Sequence, residues 1–129
     1  MPKKVLIVDD SPMIRRIVGK ILKDSGYDVV MAENGQKGVE AARRDRPDLV
    51  IMDIEMPVMN GLQATASIKS DRSTAHIPVL IFTSLGSEQD MRMALEAGGS
   101  GFLNKPISKE ELQATISFIL EAGSQGTAG

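Results

Sequence analysis

Two alternating patterns of apolar residues run along this 129-residue chain: short unbroken runs, and stretches where they return every three or four positions. Val5-Leu6-Ile7-Val8 is an unbroken run, the signature of a strand covered on both faces. Ser11-Pro12 then reads as a helix N-cap followed by proline at the first helical position. Ile14, Ile17, Val18, Ile21 and Leu22 recur at helical spacing, and Gly26 stops that helix. Tyr27 to Met31 predicts a second strand. Asn34-Gly35 opens a second helix carrying Val39 and Ala42. It ends before Pro47, because a residue preceding proline is pushed out of helical angles.

Leu49-Val50-Ile51-Met52 predicts the third strand, with Asp53 at its end. A loop from Ile54 to Asn60 leads into a helix from Gly61 to about Ser70. Pro78 to Phe82 predicts the fourth strand. Ser87 and Asp90 have the spacing of a capping box, and the helix they open carries Met91, Ala94, Leu95 and Gly98 on one side. That spacing assigns Met91 to the core and Met93 to an exposed, partner-facing side. Phe102-Leu103 is a short fifth strand. Ser108 caps a last helix, with Glu111 three residues on and a stripe of Leu112, Ile116, Ile119 and Leu120. Five such β–α units predict a doubly wound (βα)5 domain, with a five-stranded parallel sheet and helices on both faces. The domain is expected over residues 1–122. Residues 123–129 are small and polar without periodicity, and predict a flexible tail.

Composition narrows the chemistry. The chain is 42% apolar and 25% charged, which is ordinary for a globular domain. It has no cysteine and one histidine, His76, so thiolate zinc sites, cysteine nucleophiles and multi-histidine metal sites are excluded. Net charge is −2, without the basic excess of a protein that binds nucleic acid directly. Arg15, Arg16, Lys20 and Lys23, and then Arg43, Arg44 and Arg46, read as solvated helix faces. No apolar run approaches a membrane span, and the cytoplasm is the expected compartment.

In an open parallel α/β sheet, chemistry collects at the carboxyl ends of the strands. Those ends carry Asp9 and Asp10, Asp53, Thr83 and Lys105. Three carboxylates brought together repel one another and raise the pKa of at least one. A hard divalent cation relieves this, and oxygen-only ligands favour Mg²⁺ or Ca²⁺. A carboxylate is also a competent nucleophile toward phosphorus, and phosphoryl transfer rests mainly on positioning and charge neutralisation. Lys105 offers a second cation and Thr83 a hydroxyl.

The segments Val5–Asp10, Asp48–Gly61, Thr83-Ser84 and Lys105-Pro106 together resemble the signature blocks of the response-regulator receiver family, from about Lys3 to Ala122. The resemblance implies a strand order of 2-1-3-4-5. It implies Asp53 as phosphoacceptor, taking its phosphoryl group from a sensor histidine kinase or a histidine phosphotransfer protein in two-component signalling. It implies Mg²⁺ (or Mn²⁺) held by Asp10 and Asp53 directly, by the Glu55 backbone carbonyl, and by Asp9 through water. Lys105 would pair with the phosphoryl oxygens across a cis Lys105–Pro106 bond, and Thr83 with Phe102 would form the switch. The domain would catalyse only its own phosphorylation and dephosphorylation. It would signal to a downstream protein as a stand-alone receiver, either as a monomer or as a phosphorylation-dependent dimer. Kinase docking is expected near Met13, Ile14 and Ile17, and output through Met93, Phe102 and Glu111.

Three other readings compete. A haloacid-dehalogenase-type phosphatase carries Asp-x-Asp on its first strand, whereas here Asp53-Ile54-Glu55 follows the third. A flavodoxin-type binder needs a phosphate-cradling loop where Asp9-Asp10 stands. A phosphorylation-independent pseudo-receiver would keep the fold with a dead site.

Overall fold

The computed structural model describes residues 2–106 and 108–128, with side chains described as far as residue 122. Its elements are β1 (Lys4–Val8), α1 (Pro12–Asp24), β2 (Asp28–Ala32), α2 (Gly35–Asp45), β3 (Leu49–Met52), α3 (Gly61–Ser70), β4 (Val79–Thr83), α4 (Glu88–Glu96), β5 (Gly101–Asn104) and α5 (Lys109–Ala128). All strand pairs are parallel and the sheet runs β2-β1-β3-β4-β5. The tail expected over residues 123–129 lies outside the described side chains. Among the described residues, no helix is long and apolar enough to cross a membrane.

The unbroken apolar runs are explained by two covered faces. Leu6, Val8, Val50, Met52 and Ile81 point to one side, against Val39 and Ala42 of α2, Ala64 and Ile68 of α3, and Ala94 of α4. Their strand neighbours Val5, Ile7, Leu49, Ile51, Leu80 and Phe82 point to the other, against Val18 and Leu22 of α1 and Leu112 and Ile116 of α5. Successive side chains in a strand alternate between faces, so only a continuous apolar run fills both layers. Each fully buried leucine or isoleucine contributes roughly 2 kcal/mol of transfer free energy.

The capping signals take the form the sequence predicts. Ser11 Oγ accepts from the Ile14 amide at 3.2 Å. Ser87 and Asp90 form a reciprocal capping box, and Ser108 Oγ accepts from the Glu111 amide. Asn60 and Gln63 form a second box that fixes the entry of α3. Strands β2 and β4 each begin and end one residue later than predicted. Val8 pairs with Ala32 and Thr83 with Asn104, so the ladder holds those end residues in register.

The inward face of α4 differs from the prediction. Met91 is not core but 43% exposed, and Leu95 is exposed as well; Ala94 is the buried residue, with Asp90 and Ala97 half-buried beside it. Small alanines let this short helix approach the β4–β5 edge closely. The longer Met91 and Leu95 flank that contact and turn outward. Met93 is exposed as expected.

The β3–α3 loop contains one unfavourable backbone. Val58 has φ 71° and is 83% exposed, so a β-branched residue sits in the left-handed region with little packing in return. Val58→Gly is expected to raise the unfolding free energy by about 1 kcal/mol in urea denaturation, the scale of that conformational penalty. An unchanged or lower midpoint would show that the loop pays nothing for this conformation.

Candidate functional site at the carboxyl edge of the sheet

The central strands deliver the acidic residues to one place. The Asp9 amide donates to the Ala32 carbonyl and the Asp53 amide to the Val8 carbonyl, so β2, β1 and β3 set the heights of both carboxylates. Asp9 Oδ1 accepts from the Ser11 amide at 2.9 Å, which turns the chain toward α1. Asp53 Oδ1 accepts from the Ile54 amide at 2.8 Å. Carboxylate oxygens of Asp9, Asp10 and Asp53 lie within 4.8 Å of one another. Asp9 and Asp53 are buried and Asp10 is exposed.

Lys105 arrives from the far edge. Its Nζ lies 2.8 Å from Asp9 Oδ2 and 3.5 Å from Asp53 Oδ2, and 5.7 Å from the centre of the Phe82 ring. The Lys105–Pro106 bond is cis, as the resemblance implies. Thr83 is fully buried, and its hydroxyl accepts from the Leu85 amide at 3.3 Å. Gly61 closes the floor. A Cβ there would overlap the Asp53 carbonyl oxygen, and the Gly61 amide donates to the Ile54 carbonyl at 2.8 Å.

The electrostatics follow from this geometry. Burial, and then the Asp9 charge, push the Asp53 carboxyl above the usual carboxylate range; Lys105, Thr83 and the Ile54 amide oppose the shift without cancelling it. Burial pulls the Lys105 ammonium down, but its hydrogen bond to Asp9 and the charges of Asp53 and Asp9 outweigh that and leave it raised. Three carboxylates thus face one ammonium, and one of the three remains exposed at the mouth. Such an oxygen-only, over-negative set fits a hard divalent cation.

The structure therefore brings together Asp9, Asp10, Asp53, Thr83 and Lys105. Phe102 stands apart, half-buried against the α4-side core and paired in register with Ile81. The Glu55 side chain is exposed in the loop after Asp53. Two contributors escape the sequence reading. Arg15, assigned there to a solvated face, is half-buried and donates to the Asp9 carbonyl at 2.6 Å. Its sequence signal is only a cation one helical turn beyond the acidic pair. Asn104 donates to the Thr83 carbonyl at the end of β4 and to the Leu85 carbonyl in the loop beyond it, and nothing in its sequence context marks it.

Parallel topology with an acidic pocket and a lysine at the carboxyl edge defines a class of phosphate-handling signalling domains, and sequence comparison assigns the chain within it. The chain belongs to the response regulator receiver domain family, whose model matches residues 5–117. It is 42% identical over 117 residues to protein PilH of Pseudomonas aeruginosa, covering 91% of this chain and 97% of that protein. It is 41% identical over 122 residues to the chemotaxis protein CheY of Halobacterium salinarum, covering 95% and 100%. The receiver domain of a sensor histidine kinase from Pseudomonas aeruginosa, solved with magnesium coordinated in its active site cleft, superposes with a TM-score of 0.87 at 28% identity, covering 94% and 99%. The chain is thus a receiver domain of response regulators, proteins of two-component signalling that interact with histidine kinases and downstream targets. Neither the dehalogenase nor the flavin-binder reading finds support.

Burial of Asp53 has a measurable consequence. Its folded-state pKa lies above the ordinary value of 3.8, so the folded state loses stability as pH rises through that raised value. Asp53→Asn removes the titration. In magnesium-free buffer the variant is expected to melt several degrees above the parent at pH 7, with the difference vanishing at acidic pH where Asp53 is protonated. A parent that melts above the variant at pH 7 would contradict the assigned charge balance.

Proposed function

We propose that Asp53 accepts a phosphoryl group from the phosphohistidine of a sensor kinase or phosphotransfer protein. A carboxylate oxygen of Asp53 attacks phosphorus, the P–N bond to imidazole breaks, and the imidazole leaves with a proton. The carrying observation is the Lys105 ammonium, hydrogen-bonded to Asp9 and 3.5 Å from Asp53. It stands between two buried carboxylates, Asp9 and Asp53, with Asp10 exposed beside them. In that position it neutralises charge on the equatorial oxygens of the transferring group, and the Thr83 hydroxyl donates to one of them.

Asp10 and Asp53 would hold Mg²⁺ with the Glu55 backbone carbonyl, and Asp9 would act through water. The magnesium in the cleft of the related sensor-kinase receiver supports this choice. When bound, the ion supplies further charge neutralisation for the phosphoryl oxygens. The domain acts only on its own phosphorylation state. Thr83 and Phe102 form the proposed switch pair. Exposed Met13 and Ile17, with half-buried Ile14, suit an apolar contact with the donor, and exposed Met93 and Glu111 with Phe102 suit an output contact. The complete set of five site residues disfavours a dead pseudo-receiver.

Incubation with acetyl phosphate and Mg²⁺, followed by intact-mass spectrometry, is the test. The parent is expected to gain one phosphate-sized mass that is lost in alkali and in hydroxylamine. Asp53→Asn should gain none, and Lys105→Ala should gain it at least tenfold more slowly. A gain retained in Asp53→Asn would refute the assignment.

A further inference from the structure

A phosphoryl group on Asp53 has to fit among the loops that surround that residue. Asp53 is only 5% exposed and Thr83 is fully buried beside it. A phosphoryl group adds three acceptor oxygens, and the loops around Asp53 differ in how firmly they are held. Two walls are anchored. The β1–α1 turn is pinned by the Arg15 guanidinium on the Asp9 carbonyl and by the Ser11 amide on the Asp9 carboxylate. The start of the β3–α3 loop is pinned by Gly61 packed on the Asp53 carbonyl. The third wall is the β4–α4 loop, Ser84 to Gly86, beyond the last ladder pair Thr83↔Asn104.

One side chain fastens that loop. Asn104 Nδ2 donates to the Leu85 carbonyl at 2.9 Å and the Thr83 carbonyl at 3.3 Å. Both partners are acceptors, so only the amide nitrogen can face them. A Cβ on Gly86 would come 3.0 Å from the same nitrogen, so the amide lies flat against the loop. Asn104 shares a sheet face with Phe102 and directly precedes Lys105. Its backbone neighbour, the Lys105 amide, donates to the same Thr83 carbonyl at 2.9 Å.

We propose that Asn104 is a positioning residue that latches the β4–α4 loop in its resting place and thereby sets how readily the pocket opens for a phosphoryl group on Asp53. The inference rests on the phosphoacceptor reading for its consequence, and on hydrogen-bond geometry alone for the latch. Asn104 is exposed, so replacing it leaves both core layers intact. Losing the neutral hydrogen bond to Leu85, the one that reaches the loop, should raise the open population of the loop by up to about tenfold. A ligand that binds only the open loop gains affinity by the same factor.

The test uses the full chain with two variants. Asn104→Leu removes both donors, and Asn104→Asp keeps the shape while presenting acceptors to acceptors. Amide hydrogen exchange at Leu85, whose N–H is held by Thr83 Oγ, should accelerate about tenfold in both variants. Exchange at Val50 and Asp53, bonded within the central strands, should not change. Beryllofluoride with Mg²⁺, a phosphoryl mimic, should bind Asn104→Leu several-fold more tightly than the parent. Unchanged Leu85 exchange in both folded variants, or beryllofluoride affinity that is equal or weaker in Asn104→Leu, would overturn the latch. If the parent itself fails to bind beryllofluoride, the phosphoacceptor reading falls, and the exchange measurement alone decides whether Asn104 holds the loop.

Discussion

The ammonium of Lys105 between Asp9 and Asp53 is the interaction on which the site depends. It spans three strand ends, β5, β1 and β3, and gathers charge that would otherwise force those ends apart. At an effective dielectric of about 20, unit charges about 3 Å apart attract by roughly 5 kcal/mol, and desolvation costs several kcal/mol per buried ion. The two nearly offset each other. The pair is therefore weak evidence for stability and strong evidence for a place where anionic oxygens are handled. Asp53 remains the carboxylate with the unfavourable environment, pushed upward by burial and by Asp9. A cation or a covalent partner relieves it.

The rest of the fold serves that arrangement. Continuous apolar runs in β1 and β3 let helices cover both faces, so the strand ends are rigid and the first polar residue past each run emerges at the same edge. Asp9 and Asp53 are those residues. Backbone bonds from Asp9 to Ala32 and from Asp53 to Val8 hold their heights. Gly61 allows the β3–α3 chain to fold back onto Asp53, which any side chain there would block. Rigidity on two sides leaves the β4–α4 loop as the adjustable side, beyond the reach of the ladder.

Much of this is legible in the chain itself, for a physical reason. Strand runs and caps are local signals, so β1, β3, α3 and the capping residues Ser11, Ser87 and Ser108 fall where their patterns put them. The pocket is legible because strand ends in a parallel sheet have one destination, and Asp9, Asp10, Asp53, Thr83 and Lys105 each stand at one. What is illegible depends on packing between elements. The face that α4 turns inward is set by how closely Ala94 approaches the sheet, and Met91 and Leu95 are as apolar as any core residue. Arg15 looks like one more cation on an amphipathic helix until the Asp9 carbonyl is seen beneath it. Asn104 looks like a polar residue on an edge strand until the loop beside it is traced.

The phosphoryl group is proposed to reach Asp53 against the ammonium of Lys105. A crystal structure of the protein with Mg²⁺ and beryllofluoride tests it most directly. Beryllofluoride density is expected on an Asp53 carboxylate oxygen, with Lys105 Nζ withdrawn from Asp9 and in hydrogen-bond contact with a fluorine. Beryllofluoride attached elsewhere, or Lys105 still seated on Asp9 with no contact to the bound group, would contradict it.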